Sequence, residues 1–282
     1  MQNVLLGLVC LDIYTSSGLL RPGCGILHNA FHLQQLRAEP LLITRIGDQD
    51  ARPFLDFLVR NRIAFLPNLI MAPGASASIQ IALQASGEAL ITNFSPGVGA
   101  TFQLQPAEEA LITRADNLHL VLVGNVAGEL QRLGASGKLA KPLVSADFLA
   151  FQDFTVERFA KVLPYIDIAF IGWKGELTDA TIQSIRAITI TQRALVVITL
   201  GERGIQVFDA LTTCTFSERF FPVEKVTVLG NTNGCGDAFI AYFLAAYWKN
   251  QNLEEAIAQG KIGGAKATAW NFALPDSAYA TE

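Results

Sequence analysis

At 282 residues, with 51% hydrophobic and only 16% charged, the chain has enough apolar side chains for a substantial core and too few charges for a disordered or fibrous protein. A net charge of -4 and an isoelectric point near 5.5 offer phosphate polymers and anionic lipid no general attraction. The composition therefore argues against a nucleic-acid or membrane partner and for a small molecule. The four cysteines, Cys10, Cys24, Cys214 and Cys235, form no CxxC pair and have no histidine at zinc spacing, which suits a reducing cytoplasm.

The first apolar run is preceded by no Lys or Arg and interrupted by Asp12, so it reads as a buried strand over residues 4–10 instead of a signal-peptide core. Further short apolar runs at 41–45, 118–123, 143–146, 166–171 and 195–200 read as strands buried on both faces, the mark of a mainly parallel sheet. Between them, apolar residues recur at helical spacing over 26–36, 50–61, 108–115, 156–163 and 178–192. The alternation predicts a three-layer α/β fold, a sheet flanked by helices, organised as one domain over 1–282. Residues 76–94 break the pattern: two alternating strands around Ser86-Gly87-Glu88 predict a hairpin standing off the main sheet. Such a hairpin covers a pocket or makes an oligomer contact, and the sequence does not choose between them. No apolar stretch is long enough to span a bilayer.

The most informative segment is Asn231-Thr232-Asn233-Gly234-Cys235-Gly236-Asp237, followed at once by the apolar run Ala238 to Trp248. Glycines around a small residue let consecutive N–H groups point at one spot, and a helix beginning there adds its positive dipole end, so the place suits an anion. A carboxylate, Asp237, in that first turn fits a base that takes a proton from an alcohol as phosphate arrives. Taken alone, the match is more often a tight turn with an acidic helix start. Upstream, residues 197–205 read as a buried strand, a glycine turn and a second strand. At the carboxyl end of a parallel strand, Thr199 and Gly201 would lie beside a nucleotide, though an ordinary hairpin turn is equally compatible. Asp12 after the first strand and Asn29 after the glycine turn at Gly25 offer the polar pair that fixes a polyol, against plainer roles as turn former and helix-surface residue. His28, His32 and His119 have no ligand spacing and read as surface or core polar residues, and Phe54, Phe57 and Leu58 as core.

In order, Gly7 to Asp12, Gly25 to Asn29, Ile46-Gly47-Asp48, Thr199 to Gly204 and Gly234-Cys235-Gly236-Asp237 resemble the motifs of the ribokinase-like, PfkB-type carbohydrate kinases, over essentially the whole chain. The tail from Ala256 to Trp270 looks most like the fructoselysine-6-kinase-like subgroup. The resemblance implies a β lid, formed by about 13–22 and 76–98, and transfer of the ATP γ-phosphate to a hydroxyl of a small sugar or sugar derivative. It also implies Asp237 as base, an anion hole of Gly234, Cys235 and Gly236, and a nucleotide site of Thr199, Gly201, Gly204, Lys261 and Ala265. Asp12, Gly25 and Asn29 match sugar-binding positions, and Glu176 is the expected Mg²⁺ residue, acting through water. A nucleoside or vitamin kinase, or a non-catalytic sensor of the same fold, is the alternative.

The chain departs from the family pattern in places. Asn231 stands where relatives carry an Asp tied to a monovalent cation, which puts that cation in doubt. Trp173-Lys174-Gly175-Glu176 keeps only the glutamate of the usual Asn-x-x-Glu, Cys24 replaces a glycine on the sugar side, and Gln49 and Arg52 replace Asp and Gly. Cys235 replaces the commoner alanine and preserves the backbone donors. Self-association through the lid, giving a homodimer, is a further expectation.

Overall fold

Apolar runs with no polar interruption form the centre of the molecule. The computed structural model describes residues 1–84, 87–151, 154–212 and 215–279; Ser86 and Cys214 lie outside the described residues. From the amino end the chain forms β1 (Asn3–Leu6), β2 (Cys10–Tyr14), β3 (Leu19–Gly23) and α1 (Gly25–Gln35). Next come β4 (Pro40–Ile43), β5 (Ile46–Gly47), α2 (Ala51–Arg60), β6 (Ala64–Phe65) and β7 (Met71–Ala72), then the hairpin strands β8 (Ala77–Leu83) and β9 (Ala89–Ser95). Helices and strands then alternate through α3 (Pro106–Arg114), β10 (Asn117–Val121), α4 (Val126–Ala135), β11 (Leu143–Asp147), α5 (Val156–Val162), β12 (Ile168–Gly172), α6 (Ala180–Gln192) and β13 (Leu195–Thr199). Two strands, β14 (Ile205–Asp209) and β15 (Ser217–Phe221), precede α7 (Cys235–Asn250), α8 (Leu253–Ala267) and the short α9 (Asp276–Tyr279).

The main sheet runs β15-β14-β13-β12-β11-β10-β1-β4-β6, parallel from β13 to β6 and antiparallel at β14 and β15. Its faces follow the two-residue period of a strand. Leu195 and Val197 join the core under α1, α2, α7 and α8, while Val196 and Ile198 join the core under α3 to α6. Phe54, Phe57 and Leu58 are buried in the first of these cores, as expected. Phe243 of α7 is fully buried and meets Phe170 of β12 edge-on at 5.1 Å, so its truncation to alanine would cost about 3–5 kcal/mol.

The run read as one strand over 4–10 is divided. Asn3–Leu6 pairs in the main sheet, whereas Cys10–Tyr14 leaves it and pairs with β3 and β8 in a second sheet of order β3-β2-β8-β9. The split is invisible in composition because Leu8 and Val9, in the crossing, are as buried as the strand residues before them. The hairpin at 76–94 does stand off the main sheet, and the lid strands begin at Cys10, earlier than the approximate start at 13.

The lid is tied to the start of α7. The Tyr14 hydroxyl accepts from the Asn233 side chain at 3.2 Å and from the Ala273 amide at 3.3 Å, and the Thr232 amide donates to the Gly87 carbonyl at 2.9 Å. Strand β2 thus crosses from the sheet's carboxyl edge to the lid close to the amino end of α7.

Candidate active site

Two helices begin at the same place. Gly234 caps α7 with φ 79°, a conformation that glycine adopts without strain, and a Cβ there would meet the Ala273 carbonyl oxygen at 2.4 Å. Asn231, buried, holds the approach by donating from its side chain to the Trp270 carbonyl at 3.1 Å and accepting from the Asn233 amide at 2.7 Å. A Cβ on Gly236 would meet nothing within 4 Å, so the first turn of α7 opens onto free space. That space suits an anion, because the first-turn amides have no intrahelical partner, although the Cys235 amide donates to the Thr232 carbonyl at 3.3 Å. Burial, with the nearby Asp237 charge, pushes the Cys235 thiol up to about 12, so it stays uncharged beside this cradle.

Asp237, in the first turn of α7, faces the amino end of α1. Its Oδ2 lies 2.7 Å from His28 Nδ1, and the other ring nitrogen, Nε2, lies 3.8 Å from Asp12 Oδ2. The His28 side chain is 3% exposed and that of Asp12 1%, against 17% for Asp237, so Asp237 is the most accessible of the three. Burial raises Asp12 to about 6, with the His28 charge and the Cys10 thiol opposing. Burial pulls the His28 imidazole down, but the hydrogen bond and charge of Asp237, with the charge of Asp12, outweigh it and the net shift is upward. From sequence alone, His28 reads as a surface or core polar residue. It is a core residue that bridges two carboxylates, and its spacing concealed this because its partner lies 209 positions away in sequence.

The other expected acceptor-side residues divide. Gly25 lies under Asp237. Asn29 is fully buried, and its side-chain nitrogen lies 3.2 Å from His119 Nε2, whose Nδ1 meets Ser145 Oγ at 3.0 Å. Asn29 therefore reaches the sheet through its nitrogen, while its Oδ1 is buried without a hydrogen-bond partner among the described residues. Burial brings His119 down to about 3, so it is neutral. At the carboxyl end of β11, burial and the Asp237 charge raise Asp147 to about 7.

On the other side, Thr199 ends β13 and its carbonyl accepts from the Trp173 amide at 2.9 Å. Gly201 (φ 62°) and Gly204 (φ 118°) bound a tight turn into β14, and a Cβ on Gly201 would meet nothing within 4 Å. Arg203 in this turn donates to the carbonyls of Trp173, Lys174 and Gly175, and its guanidinium lies 3.4 Å from the Glu176 carboxylate. Glu176 itself is 78% exposed. Lys261 and Ala265 lie half-buried on α8, which approaches the first half of α7 so closely that a Cβ on Gly263 would sit 2.6 Å from the Ala238 carbonyl oxygen. Among the described residues no group of three or more His, Cys, Asp or Glu could hold a metal ion. No helix among the described residues is long and apolar enough to cross a membrane.

A mainly parallel sheet with a glycine cradle, a carboxylate at a helix start and a separate small β lid defines a ribokinase-like fold. Residues 29–269 match the pfkB family carbohydrate kinase, and the chain belongs to that family. It is an ATP-dependent sugar kinase, a phosphotransferase with an alcohol group as acceptor. Fructoselysine 6-kinase of Escherichia coli (strain K12) is 28% identical over 265 residues, covering 94% of this chain and 96% of that protein. Adenosine kinase from Schistosoma mansoni, solved with 2-fluoroadenosine, superposes with a TM-score of 0.81 at 15% identity, covering 96% of each chain. Ribokinase from Thermotoga maritima superposes with a TM-score of 0.77 at 16% identity, covering 99% of this chain and 98% of that one. The last two likenesses establish the fold.

Proposed function

We propose that the acceptor is a small sugar or sugar derivative of the fructoselysine kind and that Asp237 is the base. The observation that carries this is the placement of Asp237 at the open amino end of α7, with the buried carboxylate of Asp12 across His28. Fructoselysine 6-kinase, similar along 94% of this chain, supports the acceptor class. Asp237 takes the hydroxyl proton as the hydroxyl oxygen bonds the γ-phosphorus and the bond to ADP breaks. First-turn amides of Gly234, Cys235 and Gly236 hold the charge that develops on the moving phosphoryl group.

Thr199, Gly201 and Gly204 would line the nucleotide with Lys261 and Ala265 of α8, and Asp12, Gly25 and Asn29 the sugar. Magnesium, when bound, neutralises phosphate charge, and Glu176 is the exposed carboxylate available to it through water. Asn231 satisfies both ends of its amide within the protein, which favours no requirement for a monovalent cation. The chain works as a single kinase unit with its lid, in the cytoplasm, with neither nucleic acid nor membrane as a partner. Strand β9 is an edge strand with Leu90, Ile91 and Phe94 exposed, and a second copy of the lid is its proposed partner.

The test is ADP formation by the purified protein with ATP and Mg²⁺ against fructoselysine, fructose, ribose and adenosine. Turnover confined to adenosine would replace the sugar reading by a nucleoside kinase. Tight sugar binding with no ADP from any acceptor would identify a sensor.

A further inference from the structure

The fully buried imidazole of His28 lies between the two carboxylates of the site, one on the lid strand β2 and one on α7. Its Nδ1 is in hydrogen-bond contact with Asp237, at 2.7 Å. Its Nε2 and the Asp12 Oδ2, 3.8 Å apart, are both buried without a hydrogen-bond partner among the described residues. Two carboxylates on either side of one buried ring repel each other, and the repulsion favours a proton held between them. A proton on each imidazole nitrogen removes the conflict, because Nδ1–H then donates to Asp237 and Nε2–H faces Asp12.

Among the described residues around the pair, His28 is the cationic group placed between the two carboxylates. On its own helix, His32 is brought down to about 3 by burial and by the His28 charge, and Cys24 is the cap residue. From β2, Cys10 donates its thiol to Asp12 at 3.4 Å. From β3, Arg21 is the register partner of Asp12, but its guanidinium lies over the Phe272 and Tyr279 rings at 5.2 and 5.0 Å. From β10, His119 is neutral, and from β11, Asp147 adds a further carboxyl. From α7, apart from Asp237, Cys235 is uncharged and Tyr242 packs against His32 at 6.1 Å.

We propose that His28 is the positioning residue of this kinase, an imidazolium that fixes the Asp237 side chain by its Oδ2, leaves Oδ1 for the acceptor, and keeps Asp12 and Asp237 anionic together at neutral pH. The kinetic part of this inference rests on the assignment of Asp237 as base. His28 touches no reacting atom and acts through Asp237.

The experiment has two arms. In the first, kcat/KM is followed against pH for the wild type, for His28→Asn and for His28→Gln, with the acceptor that gives turnover. Without the imidazolium the carboxylates retain a proton to higher pH, so the acid limb moves up by about one pH unit or more and activity recovers on the alkaline side. Adding Asp12→Asn to His28→Asn removes the like charge and returns the limb toward lower pH. A loss of equal size at every pH, with the limb unmoved, shows a merely structural histidine and overturns the proposal.

The second arm needs no turnover. Imidazole ¹⁵N shifts of the wild-type protein, which has three histidines, are recorded across pH. One imidazolium and two neutral rings at pH 7 are expected, with the imidazolium losing its proton at lower pH in Asp237→Asn. Three neutral rings at pH 7 overturn the proposal even if the variants fail to fold. Failure to turn over any acceptor while one imidazolium is present instead counts against the kinase assignment and leaves the imidazolium between the carboxylates established.

Discussion

Asp237 Oδ1 lies 2.9 Å from the position a Cβ on Gly25 would occupy. The first residue of α1 is thus bare so that the carboxylate at the start of α7 can rest against it. Gly25→Ala needs no positive φ and brings a better helix former, so thermal stability should change by under about 1 kcal/mol. The methyl group must nevertheless move a short side chain that His28 holds, and a displacement approaching 1 Å costs on the order of a hundredfold in rate. Steady-state kinetics beside a melting curve checks this, and a variant with unchanged kcat would show that Asp237 tolerates the shift.

Asp237→Asn keeps the shape of the side chain and removes its capacity to accept a proton. Phosphoryl transfer should fall by roughly 10²–10⁴, the usual contribution of a positioned base, while nucleotide binding measured by calorimetry stays within a few-fold of wild type. Turnover that survives the change would refute the role of Asp237.

The layered fold was legible because β1, β10 and β13 are near-continuous apolar segments whose alternate residues go to opposite cores. Helix α4 leaves no clear periodic signal, since Gly128 and Gly134 interrupt its apolar spacing, and neither does β15, whose residues alternate between half-buried and exposed. In the site, the Gly234 to Asp237 cradle is local in sequence and could be read there. The bridge from Asp237 to His28 spans 209 positions, and Asn29, one residue further along α1, faces His119 instead. Neighbouring residues on a helix point about 100° apart, so the choice between them depends on the packing of α1 against α7 and β10. No local spacing contains that information.

Asp147 presents a pH-dependent cost. It is buried at the carboxyl end of β11, and its folded value of about 7 lies above the value of about 4 for an unfolded aspartate. Folding therefore takes up a proton between those two values, and stability falls as pH rises from about 4 to 7 and stays lower above. Asp147→Asn keeps an acceptor for the Leu149 amide, now 2.8 Å from Asp147 Oδ1, and loses the buried charge. The variant should melt higher than wild type at pH 8 by at least roughly 2–4 °C, equivalent to about 1 kcal/mol, with little difference at pH 5. Equal melting shifts at both pH values would show that Asp147 carries no buried charge.

Arg203 joins the two loops assigned to the nucleotide side. Its guanidinium collects three carbonyls from residues 173–175 and lies against Glu176, so the turn after β13 and the loop after β12 move as one piece. Global stability should barely register its loss, because the group is 39% exposed and partly exposed ion pairs contribute at most about 1 kcal/mol. Loop order is another matter: Arg203→Ala should raise KM for the nucleotide by roughly tenfold with a smaller effect on KM for the acceptor. Arg203→Lys should behave almost as badly, since an ammonium cannot reach several carbonyls in one plane as the guanidinium fork does. Initial-rate kinetics with each substrate varied in turn separates the two constants, and a rise confined to the acceptor KM would place the Arg203 loop on the sugar side.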